Sequence, residues 1–307
     1  MNYKYKAYLQ NFFSILPKGE TVNYFFQKYI TKSLPIPHHL FLDKLEIVNR
    51  HFKNYKKYCL LNNPADSTYY EFGAGYDMII PISMSMLGFK KLICIDIREL
   101  IFPELINDSL KRLEIHKSKF GIESMFTENI PEVNRKNYKD VLKKFLRIDY
   151  NAPLDAKNTG IQSNSIDFII SNATMEHIPQ KDLPDIIKEC YRILKPGGIM
   201  SNEIDYVDHY SYFDDSISVY NYLKFSGNEW KKLNPAIMYQ NRMRHIDYIK
   251  IINETEFEIL NVEPDYPDDK ETEQLKNLNL NEYYRNNYSL EELSIKKSKI
   301  VLRKKSL

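Results

Sequence analysis

The sequence predicts an α/β fold: a parallel sheet with helices on both faces, preceded by a helical N-terminal segment. Three observations carry this expectation. From Thr68 onward, short apolar runs alternate with longer stretches of helical periodicity, as strand–helix–strand units do. The stretch YYEFGAGYDMIIP, Tyr69 to Pro81, sets two glycines between a strand-like and a helix-like run, in a chain with only nine glycines among 307 residues. Before that, aromatic and aliphatic residues recur at helical spacing without β-type alternation.

In chain order, residues 1–60 read as a helical cap broken at Pro17 and at LPIPHH, and residues 61–307 as the main domain. The expected strands are TYYEF, KLICID, FLRIDY, IDFIIS, GGIMSNEI, FEILNVE and KIVLRK. MIIPISMSML, ELINDSLKRLEIH, LPDIIKECYRIL and HIDYIKIINE are the expected helices between them. The basic terminus KKSKIVLRKKSL reads as a final edge strand with solvated lysines.

Composition bounds the function. With 43 basic and 41 acidic residues in mixed order, the net charge of +2 aims no field at nucleic acid or an anionic membrane. Cys59, Cys94 and Cys190 lie far apart without disulfide or metal-ligand spacing, which fits a reducing, cytoplasmic setting. No window of about 18 uncharged apolar residues reads as a membrane span. Oligomeric state is not legible.

A strand running into Gly73-Ala74-Gly75 and then a helix places backbone N–H groups and a helix dipole's positive end at the carboxyl edge of the sheet, where doubly wound folds bind ligands. Asp77 is placed to cap the helix, and Pro81 falls in its first turn. Asp96 follows at the end of the next strand, twenty-one residues after Gly75, where a carboxylate accepts both ribose hydroxyls of an adenosine. A dinucleotide fingerprint needs a third glycine where Met78 stands. The cradle therefore suits a ligand with one adenosine and no pyrophosphate.

These motifs, over roughly residues 68–305, resemble the class I S-adenosylmethionine-dependent methyltransferases. EFGAG resembles the family's first motif, with Glu71, Gly73, Ala74 and Gly75; IDI resembles the second, with Asp96 and Ile97. LDAKNTGIQSNSIDFIIS is similar to the stretch in which Asp155 meets the adenine amino group and the Ala156 N–H a ring nitrogen. SNATMEHIP followed by ECYRILKPGG resembles the segment lining the cofactor's methionine end, with Asn172 among the holding residues. The resemblance implies S-adenosylmethionine as cofactor and a Rossmann-like seven-stranded sheet of order 3-2-1-4-5-7-6, the last strand antiparallel. Asp77 stands where the family often has glycine and is expected at the cofactor's ammonium. About 58 residues separate Asp96 from Asp155, so extra helical turns are expected around NIPEVNRKNYKDVLKKF.

On the acceptor side, His177 follows the fourth strand, where a neutral imidazole can take a proton or simply bond to backbone. Asp205, Asp208 and His209 lie close in sequence after the fifth strand, and Asp205 and His209 join His177 as candidates to assist the acceptor. Their spacing matches no metal pattern, and no metal is expected. The long insertion 206–244 is rich in aromatic and amide side chains. Tyr220, Tyr222, Phe225 and Trp230 either stack on a polyhydroxylated acceptor or pack the insertion on the core. The expected activity is methyl transfer to oxygen or nitrogen of a small molecule or glycan, such as a sugar in polysaccharide biosynthesis. A cofactor-binding protein without turnover and a nicotinamide-dependent oxidoreductase are the alternatives.

Overall fold

A computed structural model of the chain describes residues 2–61, 63–117 and 130–305. Its framework is a seven-stranded sheet formed by β1 (Thr68–Phe72), β2 (Lys91–Ile95), β3 (Ile148–Asn151), β4 (Ile166–Asn172), β5 (Leu194–Asp205), β6 (Phe257–Asp265) and β7 (Lys297–Lys304). The order is β3-β2-β1-β4-β5-β7-β6, as the resemblance implied. β7 pairs antiparallel with β5 and β6, whereas β1 to β5 pair in parallel.

Alternation along β1 shows how the sheet divides the core. Tyr69 points to one face and Tyr70 to the other, and both are fully buried. Against the Tyr69 face pack α3 (His38–Tyr58), α4 (Ile79–Met86), α5 (Pro103–His116) and α6 (Tyr138–Leu146), which follow α1 (Tyr3–Ile15) and α2 (Gly19–Phe25) in the chain. The Tyr70 face is covered by α7 (Leu183–Ile193) through Ile186, Ile187 and Cys190, and by α9 (His245–Asn253), which follows the short α8 (Gly227–Leu233). Helix α6 falls within the segment expected to carry extra helical turns.

Two expectations need correction. Residues 1–60 are not one cap: α3 is a full layer of the sandwich, burying Phe41, Leu45, Val48 and Tyr55 against the sheet. Its apolar residues recur every three or four positions, so it carries a face that must be buried. Only α1, α2 and the π-helical turn Phe26–Ile30 lie outside that layer. The basic C-terminal strand β7 is also not an edge. It is paired on both sides, Ser298, Ile300, Val301 and Leu302 are buried, and Lys297, Lys299 and Arg303 are drawn to Asp205, Glu263 and Glu258.

The insertion folds into a third core. Tyr210, Tyr220, Tyr222, Leu223, Trp230 and Leu233 pack with Tyr3 and Ala7 of α1. Between β6 and β7 lie α10 (Asp269–Lys276), α11 (Glu282–Asn287) and α12 (Leu290–Ser294), which complete this core with Leu275, Tyr284 and Leu293. Arg244, fully buried, donates to the carbonyls of Tyr206, Leu293 and Ile295 and to the Tyr222 hydroxyl. Among the described residues no helix is long and apolar enough to cross a membrane.

Candidate functional site

The site starts at the turn after β1. Gly73 and Gly75 adopt φ of +77° and +75°, a region that disfavours side chains. A Cβ on Gly73 would lie 2.3 Å from Thr174 Cγ2, while one on Gly75 would meet nothing within 4 Å. Gly73 thus permits a close packing contact, and Gly75 keeps open space beside the turn. Met78 also has positive φ, and its fully buried side chain occupies the position where a dinucleotide site would need glycine.

Two adjoining cavities open along this edge. One, of about 160 Å³, runs between Gly73, Asp96 and Ile97 on one side and Asp155, Ala156 and Ile186 on the other. The second, of about 340 Å³, extends from Gly75 and Tyr76 under α2, reaching Asn23, Gln27, Ile237 and Tyr239. Gly73, Asp96, Ile97, Thr174, His177 and Ile178 line both. The sequence-expected Gly73, Gly75, Asp96, Ile97, Asp155, Ala156 and His177 are therefore brought together.

Asp96 is the most telling of them. It is 7% exposed, and its Oδ2 has no hydrogen-bond partner. Burial pushes its carboxyl up to about 6, against the backbone N–H groups of Gly75 and Ala74 and the Arg98 charge, which favour ionisation. A buried carboxylate oxygen on a cavity wall asks for a donor, and a ribose diol offers two. Ile97, 59% exposed, gives the same cavity an apolar wall. Lys157, in the opposite wall, is held by Asp182 at 2.9 Å and Asp155 at 3.5 Å.

Four expected cofactor residues line neither cavity: Ala74, which is buried, and Asp77, Glu71 and Asn172. Asp77 caps Ile79 through Oδ1 and is gripped by Lys44 of α3, so its carboxylate is occupied by helix docking. Glu71 is buried behind the turn, accepts the Tyr69 hydroxyl, and is pushed up to about 8 by desolvation. Asn172 turns toward α3, with Oδ1 3.4 Å from His51 Nε2. Asp77 and Asn172 are claimed because α3 is a core layer whose polar side chains reach them, whereas Glu71 is held by Tyr69 of its own strand.

At the acceptor end, His177 Nδ1 lies 2.6 Å from the Tyr239 carbonyl. A carbonyl only accepts, so Nδ1 carries the proton and Nε2 holds a lone pair. His209 lies behind it, ring centroids 4.9 Å apart, and Asp205 Oδ2 is 4.0 Å from His209 Nε2. Asp205 is tied down by Tyr212 and by Lys297 at 3.3 Å; Asp208 caps Tyr210 and accepts from Asn221. Neither reaches the cavities. Sequence reasoning missed Thr174, Ile178, Tyr239 and Glu176. The local spacing around Glu176 gives no sign that its side chain meets His209.

The lid over the second cavity comes from α2 and the π-helical turn that follows it. Glu20 pairs with Arg98 in the loop after β2, and the Tyr76 hydroxyl reaches Glu20 at 3.4 Å. Asn23 and Gln27 then face the cavity from above.

Residues 126–201, which run through β3, β4 and the first part of β5, match the family of methyltransferase domains. The chain thus carries a methyltransferase domain. No curated protein sequence matches this methyltransferase. A protein from Pyrococcus horikoshii OT3 has a similar structure at a TM-score of 0.50 and 12% identity, over 91% of this chain and 98% of the other. A geranyl diphosphate C-methyltransferase from Streptomyces coelicolor A3(2) gives 0.48 and 13%, over 90% and 84%. A methyltransferase from Methanosarcina mazei gives 0.44 and 14%, over 83% and 97%. At these identities the likeness is one of fold.

Proposed function

We propose that the methyltransferase moves a methyl group to an oxygen or nitrogen of a polyhydroxylated small molecule or glycan. The observation that carries the cofactor half is the unpartnered Asp96 Oδ2 on the wall of the narrower cavity. Asp96 would take the ribose, Ile97 and Ile186 the faces of the adenine, and Asp155 with the Ala156 N–H its edge. Gly73 and Gly75 would leave room for the chain that carries the sulfur. When bound, S-adenosylmethionine supplies an electrophilic methyl group. The protein's share is then to align the acceptor and exclude water.

The acceptor half rests on the wider cavity and its neighbour. Beyond Tyr239 lies an open cavity of about 420 Å³ walled by Trp230, Tyr283 and Tyr288 with Asn234, Asn281 and Arg242. Tyr239 borders both, so an extended acceptor would run from His177 across Tyr239 onto aromatic rings. Rings with amides between them suit the alternating C–H faces and hydroxyls of a sugar. The Nε2 of His177 would face the acceptor's nucleophile.

The test is calorimetric titration with S-adenosylhomocysteine and with NAD, followed by methyl-transfer assays on nucleotide sugars, free sugars and small amines. The expected result is binding of the first ligand alone and turnover on a sugar hydroxyl or amine. Preferential NAD binding would reject the cofactor assignment, and turnover confined to apolar acceptors would reject the glycan reading.

A further inference from the structure

Behind the acceptor end of the cavity, three metal-ligating side chains converge that the cofactor reading does not use. Glu176 and His177 lie on the turn after β4, and His209 opens the insertion after β5, so two neighbouring strand ends bring them together. One ligand atom from each lies within 4.8 Å of the other two. Their polar atoms are not spent on one another. Glu176 is 1% exposed; its Oε1 accepts the Asp205 N–H at 3.3 Å, and its Oε2 has no partner. The buried Nε2 of His209 has none either. An orphaned buried polar atom costs about 1–3 kcal/mol, so two in one cluster need a reason.

We propose that Glu176, His177 and His209 bind one divalent transition-metal ion, of the Zn²⁺ or Mn²⁺ kind, at the acceptor end of the cavity. Two imidazoles and a carboxylate form a three-ligand set that leaves coordination positions open for an exogenous oxygen. The Tyr239 carbonyl on His177 Nδ1 fixes the ring and leaves Nε2 as the donor, as outer-shell carbonyls do for metal-binding histidines. A point equidistant from three atoms 4.8 Å apart lies about 2.8 Å from each, against the ~2.0–2.2 Å of zinc bonds to nitrogen or oxygen. Closure on an ion therefore asks for inward shifts of at most about 0.7 Å. Asp205, anchored by Lys297 and Tyr212, holds its Oδ2 4.0 Å from His209 Nε2 and so adds negative charge beside the cluster.

Because His177 also lines the cavity, an ion held there would border the acceptor space. There it would hold an acceptor hydroxyl and lower its pKa, the proton passing to solvent water. This role rests on the acceptor reading above, whereas the ion site itself does not.

The experiment uses the full chain, stripped with chelator and titrated with Co²⁺ while its visible absorption is followed. Equilibrium dialysis against Zn²⁺ with metal analysis accompanies it. One ion per chain is expected. Glu176→Gln and His209→Ala are each expected to weaken uptake by at least about tenfold. Glu176→Gln keeps the side chain's size, so it carries the test if His209→Ala fails to fold. No uptake by the parent chain, or uptake that Glu176→Gln leaves unchanged, overturns the proposal. S-adenosylhomocysteine affinity, measured on the same samples, is expected to be the same in parent and variants. If the parent fails to bind it, the cofactor reading falls while the ion site stands.

Discussion

Lys44 Nζ of α3 lies 2.7 and 2.9 Å from the two carboxylate oxygens of Asp77, in the turn between β1 and α4. A side chain that sequence alone places beside the ligand is thereby neutralised from outside the cavity. Asp77→Asn is expected to lower stability by about 1–2 kcal/mol, less than a fully buried pair would cost because Lys44 is one-third exposed. Cofactor affinity is expected to hold. Urea unfolding and titration with S-adenosylhomocysteine read the two effects separately, and a large loss of affinity would return Asp77 to the binding site.

Asp96→Ala is expected to do the reverse, weakening S-adenosylhomocysteine binding by about 1.5–3 kcal/mol with little change in stability. Affinity should also depend on pH. Ribose hydroxyls donate to the ionised carboxylate, so ligand binding favours the charged form and pulls the carboxyl below its ligand-free value of about 6. Affinity should be flat above pH 6 and fall as pH drops through it. A flat profile down to pH 5 would remove Asp96 from the ribose.

The two glycines of the turn should separate packing from ligand space. In Gly73→Ala, the new methyl collides with Thr174 at an unfavourable φ, and unfolding by heat should come markedly earlier. Gly75→Ala meets no neighbour, so its stability cost is the φ term alone, roughly 1 kcal/mol, while the methyl enters space beside the cavity. Its larger effect should appear in S-adenosylhomocysteine affinity. Equal stability losses in the two variants would contradict this division.

Glu71 makes a pH prediction of opposite sign to an ordinary salt-bridged acid. Its folded value of about 8 lies above its ordinary 4.5, so the folded protein holds a proton that the unfolded chain has released between those values. Stability should therefore fall as pH rises from about 4.5 to 8, by up to about 1.4 kcal/mol per pH unit from this group. Glu71→Gln removes the dependence. Its melting temperature should match the parent's near pH 5 and exceed it near pH 8.

The strands and the ligand cradle were legible because both follow local rules. Apolar runs marked every strand, and a glycine pair before a helix marked the turn. Asp96, Asp155 and Ala156 sit at strand ends in fixed register with that turn, so spacing located them. What stayed hidden was which side chains other elements would claim. Lys44 takes Asp77 and His51 turns Asn172 aside because α3 is a core layer, and nothing in the local sequence distinguishes such a helix from a cap. The same limit concealed Glu176, whose meeting with His209 depends on two strands being neighbours. The aromatic residues of the insertion divided: Tyr220 and Tyr222 are core, while Trp230 both packs and borders the outer cavity.

Arg244 gives the two excursions from the sheet a shared fate. Its guanidinium sits in the dry interior against carbonyls at the start of the 206–244 insertion and at the end of the β6–β7 helices. Removing the β6–β7 helices alone would strand that cation without enough acceptors, a penalty of several kcal/mol, and removing the insertion alone would take away the donor that the Leu293 and Ile295 carbonyls rely on. A chimaera that exchanges acceptor preference with another enzyme of this fold must therefore carry both segments across together.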